Sequence, residues 1–341
     1  TSRGLGDVYK RQGQGRINPA YFYGVFDPND MRRDVSITMT GSNGKGVEKL
    51  IPFVPNSKAE GGGLTLNKWD ENRQANPWVA AQRKSGINGP YMRMSEVYLG
   101  YAEVCAALGD VVTGKQYLKT VRERSFPQGL ANTDAFIASF GNDLVRAIIE
   151  ERGFEYAGEG DRRWTLIRSG YLPEDIKRIK DMTKAMMDGL ATKGYYEFEN
   201  GNIISAYIWT KLVDAKTIYG HRLTAQCPTD KVNDPVLYPG WRGQKDNWEE
   251  MGLNYGSSTP ATNLAIKGLF EIVSEEEAAS LESQGYTKVN WGIDLVDNRD
   301  EYDKYLFWDY DYVSAPIYLW PFTPNVMAAG GFTNGYGFKQ E

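Results

Sequence analysis

Apolar residues recur at three- and four-residue steps most clearly near the middle of this chain. Tyr91, Met94, Tyr98, Tyr101, Cys105 and Leu108 make one helical stripe. Gly109 stands where a C′ glycine ends a helix. Thr113-Gly114-Lys115-Gln116 has capping-box spacing, which predicts a second helix from there to about Arg124. The connection is short, so the pair should pack antiparallel. A further helical run covers about Asn142 to Tyr156, carried by Leu144 and Ile148, and a short one covers Arg162 to Ile167. Two helix pairs in about 70 residues fit the spacing of tetratricopeptide units, although the Trp-Leu-Gly-Tyr signature of that repeat is absent.

On either side the pattern breaks up. Residues 13–90 are punctuated by Gly and Pro, with β-like runs at Val35–Thr40 and Lys49–Val54 around the hairpin signal Asn43-Gly44. Gly61-Gly62-Gly63 marks a flexible break. From 171 to 341, amphipathic helices are predicted at Glu174–Leu190 and Glu275–Gln284. Between them lie irregular stretches dense in aromatics: Tyr195, Tyr196, Trp209, Tyr219, Tyr238, Trp241, Trp248 and Tyr255. Pro316–Phe338 reads as coil. The expected fold is mainly α, with tetratricopeptide-like helix pairs over 91–170 and long loop-rich, partly β insertions at 13–90 and 171–341.

Residues 1–12 are set apart. Asp7-Val8-Tyr9-Lys10-Arg11-Gln12 reads as a translated transposon mosaic end of the kind used in sequencing libraries, and the residues before it as the adjoining adaptor. On that reading a native N-terminus, with any signal peptide or lipidated cysteine, has been lost.

The 341 residues carry 39 Lys and Arg against 44 Asp and Glu, a net charge of −5, with no basic block for nucleic acid. No apolar run reaches the roughly 18 residues of a membrane helix. Cys105 and Cys227 cannot form a disulfide scaffold or a cysteine-rich zinc site, and Cys105 reads as an inert core thiol. His221 lacks a Gly-x-Ser-x-Gly partner motif. Gly41-Ser42-Asn43-Gly44-Lys45-Gly46 departs from a phosphate loop at both ends and reads as a turn. No catalytic residue, metal or cofactor is therefore expected.

Aromatics are the outlier, with 9 Trp, 22 Tyr and 13 Phe. Trp69-Asp70-Glu71-Asn72-Arg73-Gln74…Asn76-Pro77-Trp78 combines indoles with amides, carboxylates and a guanidinium. That mixture suits a sugar, whose axial C–H face stacks on a ring while its hydroxyls take polar partners. Tyr21 and Tyr23 can add to this cluster. Tyr238-Pro239-Gly240-Trp241-Arg242…Trp248 is a second one, read either as a further sugar contact or as a loop anchored by its own rings. Arg93, Glu96, Glu103, Glu151, Arg152, Glu155 and Arg162 read as a charge network tying helices together.

Four motifs in order then resemble one family. They are Arg93-Met94-Ser95-Glu96-Val97…Ala102-Glu103; Tyr117-Leu118…Val121-Arg122-Glu123-Arg124; Glu151-Arg152…Glu155…Glu159-Gly160-Asp161-Arg162…Leu166-Ile167-Arg168; and Pro321-Phe322-Thr323-Pro324 with Asn334-Gly335-Tyr336. Together they are similar to the SusD/RagB family over about residues 20–341. Thr165 replaces a common Asp and Gly335 a Pro, and residues 195–290 have no counterpart.

The resemblance implies a non-enzymatic, surface-exposed outer-membrane lipoprotein of Bacteroidetes-type bacteria. Such a protein captures glycans and serves a SusC-like TonB-dependent transporter, held at the membrane only by a lipid anchor. Its ligand residues would be Tyr21, Tyr23, Trp69, Asp70, Asn72, Arg73, Trp78, Trp241 and Trp248. Two other classes stay open: a glycoside hydrolase using carboxylates such as Asp70 with Glu71 or Glu249 with Glu250, and a helical-repeat scaffold that binds only proteins.

Overall fold

The computed structural model describes residues 17–42, 48–51, 53, 63–66, 68, 90–214, 262–300 and 324–331. Polar caps start the first helices. Helix α1 (Pro19–Gly24) begins on Asn18, whose Oδ1 accepts from the Ala20 N–H at 2.9 Å. Helix α2 (Met31–Ser36) begins on Asp30, bonded by the Arg32 N–H at 3.0 Å. Strands β1 (Ile37–Thr38), β2 (Thr40–Ser42), β3 (Glu48–Leu50) and β4 (Thr65–Leu66) follow. β2 pairs antiparallel with β3, Ser42 opposite Glu48, and β1 pairs with β4. The expected hairpin exists, but its first strand starts late because Val35 and Ser36 finish α2. Asn43 and Gly44 lie outside the described residues.

Helix α3 (Met94–Ala107) ends at Gly109, whose φ of +88° needs a residue without Cβ, as the sequence predicted. Helix α4 (Val111–Glu123) starts two residues before the anticipated capping box, because Asp110 accepts from the Thr113 N–H at 3.1 Å and caps it first. The two helices cross closely at Gly114, where a Cβ would stand 3.0 Å from the Ala102 carbonyl oxygen and 3.3 Å from the Ala106 nitrogen.

That crossing corrects the phase of the apolar stripe. The buried face of α3 is Ser95, Leu99, Ala102 and Cys105, while Tyr91, Met94, Val97, Tyr101, Val104 and Leu108 point outward. Apolar residues occupy both sides of this helix, so periodicity alone could not decide which side meets the core. Small Ala102 faces inward because the neighbouring backbone is so close. Cys105 is buried and free, as anticipated.

Helix α5 (Thr133–Ala138) starts on Asn132, bonded by the Ala135 N–H at 3.2 Å. Helix α6 (Leu144–Glu155) starts on Asp143, and every one of its residues except Val145 is buried. It is the axis of the molecule's helical half. Helices α7 (Asp161–Ser169) and α8 (Leu172–Lys193) pack against it in turn.

Strands β5 (Tyr195–Glu197) and β6 (Ile203–Ser205) form a hairpin. Strand β7 (Tyr207–Asp214) lies between β8 (Thr262–Lys267) and β9 (Thr287–Asn290), antiparallel to both. Helices α9 (Glu275–Ser283), α10 (Gly292–Asp297) and α11 (Pro324–Gly330) complete the described chain. Tyr195, Tyr196 and Trp209, expected in irregular chain, therefore sit in strands. Part of Pro316–Phe338, expected as coil, is helical. The mainly helical fold itself is as expected.

Among the described residues, two large apolar cores and a small one of Ile149, Leu166 and Leu172 hold these layers. The larger joins Phe22, Tyr23 and Phe26 to Met186, Met187 and Leu190 of α8, Ile208 and Ile266 of the sheet, and Trp291. The second joins Leu99, Leu118, Val121, Ala147 and Ile148 across α3, α4 and α6. Each such side chain contributes about 1.5–3 kcal/mol when fully buried.

Candidate functional site

Two of the anticipated ligand residues belong to the core. Tyr23 is fully buried, its hydroxyl accepts from Trp291 Nε1 at 2.9 Å, and burial raises its pKa. Its backbone carbonyl accepts from Asn200 Nδ2 at 2.8 Å and Asn202 Nδ2 at 2.7 Å. Tyr23 thus offers no face to a ligand, and its expected role is corrected. The reason is physical: α1 is a single apolar turn-and-a-half, and its rings fill the space beneath α8 and the sheet. Tyr21 is half-buried. It donates to the Gly153 carbonyl at 3.1 Å, meets Phe26 edge-on at 5.4 Å between centroids, and has its pKa pushed up to about 12, chiefly by burial. It fastens α1 to α6. Trp69, Asp70, Asn72, Arg73, Trp78, Trp241 and Trp248 lie outside the described residues, as do Glu71, His221, Cys227, Glu249 and Glu250.

The charge network is present and larger than the sequence implied. Glu150, Glu151 and Glu155 of α6 are all buried, and each is met by guanidinium groups. Glu150 accepts from Arg162 Nη2 at 3.0 Å and pairs with Arg146 at 3.0 Å. Glu151 accepts from Arg32 Nη1 at 2.7 Å and Arg122 Nη1 at 2.9 Å. Glu155 accepts from Arg124 at 2.6 Å, Arg32 at 3.1 Å, and Arg93. Arg152 donates to Asp161 at 2.5 Å, and Arg168 to Glu103. Buried charges of this kind persist only when paired and hydrogen-bonded, and planar guanidinium forks suit carboxylates better than ammonium groups do.

Burial alone would raise the Glu155 pKa. Arg32, Arg124 and Arg93 outweigh it and hold the carboxyl down at about 2. A general acid for glycoside cleavage needs the opposite shift. Glu155 is part of the framework.

One end of this framework is a clamp. Lys68 donates to the Glu155 carbonyl at 2.6 Å and pairs with Glu159. Arg93 donates to the same Glu159 through Nη2 at 2.7 Å and Nε at 3.0 Å, and to the Glu155 carbonyl at 2.6 Å. Lys68 and Arg93 flank the segment that holds Trp69 and Trp78. Lys68 and Arg93 are therefore tied to one pair of acidic residues at and just beyond the end of α6. Burial pushes the Lys68 ammonium below the usual lysine value, opposed by Glu159.

Sequence reading identified Arg93, Glu155 and the network. It missed Lys68, Arg32, Arg124 and Glu150, which carry no local pattern. Lys68, Arg32 and Arg124 meet Glu155 from 31 to 123 residues away in sequence, whereas Glu150 meets the nearer Arg146 and Arg162. It also missed Trp164 on α7, an indole 54 % exposed, whereas Trp209 and Trp291 are buried. The signal was available, since Trp164 lies off the face of Leu166, which packs inward.

Helix pairs around a buried ionic axis define a mainly helical, tetratricopeptide-like scaffold. The chain belongs to the SusD family, which matches it over residues 9–321. It is also similar to the SusD-like protein P25 of Formosa agariphila, 28 % identical over 160 residues, a match covering 47 % of this chain and 26 % of that relative. No solved structure gives a significant match. Members of the family are carbohydrate-binding proteins of nutrient uptake, generally non-catalytic, and typically surface lipoproteins that partner SusC-type transporters. Among the described residues, no helix is long and apolar enough to cross a membrane.

Proposed function

We propose that this protein captures a glycan at the bacterial surface through the segment 69–89 and passes it, uncleaved, to a SusC-like TonB-dependent transporter. The observation that supports this reading is that Lys68 and Arg93, which precede and follow the aromatic stretch in sequence, both bind Glu155 and Glu159. Fixing both ends lowers the ordering entropy a binding segment loses on engaging a sugar. Family membership supplies the ligand class and the transporter, and a lipid anchor on the outer membrane follows from the same source. The outward apolar residues of α3, with Val111 and Val112 beyond, supply the kind of surface a protein partner covers.

Affinity electrophoresis against plant, host and microbial polysaccharides, with a reducing-end assay on the same mixtures, tests the proposal. It predicts retardation by at least one polymer with no reducing ends released. Release of reducing ends, lost on replacing Asp70 and Glu71 or Glu249 and Glu250, would establish the hydrolase instead. Transporter binding with no polysaccharide retained would establish the protein scaffold.

A further inference from the structure

The outer face of the three-stranded sheet carries chemistry that the scaffold does not use. In an antiparallel pair, residues directly opposite each other point to the same side. Trp209 of β7 is opposite Lys267 of β8 and also opposite Lys288 of β9. The indole is thus flanked by a lysine on each side, and with strands about 4.8 Å apart the two lysine backbones are about 10 Å from each other. Two residues away on the same face, Tyr207 is opposite Asn290, and Lys211 stands two residues in the other direction. The opposite face, with Ile208, Leu264 and Ile266, is the one packed into the main core.

Lys267, Lys288, Tyr207 and Asn290 are exposed, while Trp209 is 4 % exposed, as expected if lysine stems lie over its ring and carry their ammonium groups to water. The Lys288 ammonium sits 3.9 Å from the Tyr207 ring centre and 6.0 Å from that of Trp209. Lys211 donates to the Gln284 carbonyl at 2.7 Å and lies over Tyr286 at 5.9 Å. None of the three lysines forms an ion pair with a described residue. In a chain of net charge −5, whose other described cations are so often matched to carboxylates, this face is a local exception.

We propose that this face binds the anionic groups of an acidic glycan, one bearing sulfate or carboxylate substituents. Lys267 and Lys288 take two negative groups on either side of Trp209, the exposed Tyr207 ring meets a sugar face, and the Asn290 amide serves a hydroxyl. The inference rests on the glycan-capture reading and narrows its substrate class. A phospholipid surface shares the anionic chemistry, but among the described residues no exposed aliphatic side chain stands beside the lysines on this face to enter a bilayer. The test below carries that case as one of its outcomes.

The experiment is affinity electrophoresis of the full chain in gels containing dextran, dextran sulfate, polygalacturonate or chondroitin sulfate, alongside the neutral polysaccharides of the general screen. The wild type is expected to be retarded by at least one acidic polymer, and less so at high salt. Lys267→Gln with Lys288→Gln, both at exposed positions, should weaken that retardation roughly tenfold while leaving the melting temperature unchanged. Lys184→Gln with Lys193→Gln, exposed lysines of α8, should leave it intact. Equal retardation of wild type and the Lys267/Lys288 variant overturns the inference. So does retention of neutral glycans with no acidic polymer bound, an outcome that leaves glycan capture standing. Absence of retention by every polysaccharide refutes capture together with it. Lysine-dependent co-sedimentation with phosphatidylglycerol vesicles, without polymer binding, would assign the face to lipid.

Discussion

Replacing Glu155 by Gln removes one charge from the buried axis while keeping the side chain's size. Glu155 is 2 % exposed, and its carboxyl lies at about 2 against an ordinary value of 4.5. That depression corresponds to about 3 kcal/mol of favourable interaction in the charged state. Breaking one side of a buried ion pair costs about 3–5 kcal/mol by general experience, which agrees. Because the folded-state pKa is depressed, this stability is fully present above the unfolded carboxyl's pKa and is lost as pH falls through the folded value. The window therefore runs from about pH 5 down to about pH 2. Urea denaturation of wild type and Glu155→Gln should differ by about 3 kcal/mol at pH 7, and the difference should shrink steadily below pH 5. A difference under about 0.5 kcal/mol at neutral pH, or one that does not change with pH, would show that the guanidinium groups do not stabilise the carboxylate as argued.

Three further outcomes follow from the packing. Tyr23→Phe deprives the buried Trp291 N–H of its acceptor and should cost about 1–3 kcal/mol in chemical denaturation, with glycan binding unchanged. Loss of binding without loss of stability would return Tyr23 to the ligand surface. Leu99→Ala should cost about 2–5 kcal/mol, whereas Leu108→Ser, at a residue 82 % exposed, should stay within about 0.5 kcal/mol. The reverse order would mean that α3 is buried on its other side. Replacing Glu159 by Gln removes the ion pairs of Lys68 and Arg93 with that residue and leaves only their bonds to Glu155, so limited proteolysis should cut the stretch between residues 68 and 93 faster than in wild type. Unchanged cleavage would show that the clamp does not hold it.

The longer helices were legible in the sequence through their periodic apolar residues and the glycines that end them. α6 was placed nearly to the residue, and Gly109 marked the end of α3. What escaped was whatever depends on distant partners. The face of α3 is decided by how closely Gly114 of α4 approaches Ala102, and no periodicity records that distance. Strand β7 hid among aromatics because its outer face is as ring-rich as its surroundings, and its alternation shows only once Ile208 is known to face inward. Tyr23, with Tyr21, was read as a ligand residue because both stand in the loop-rich segment that precedes the Trp69–Trp78 cluster. Its burial follows from Trp291, more than 200 residues away. The charge network could be guessed from residue types on α6 and its neighbours, but its size depended on Arg32 and Lys68 in the loop-rich part of the chain.

The most direct measurement is glycan retention by the Trp69→Ala, Trp78→Ala double variant, read beside its melting temperature. If these indoles grip the sugar from a clamped segment, retention disappears and the melting temperature barely moves. A variant that melts far lower, or that holds the polysaccharide as well as wild type does, would contradict the account.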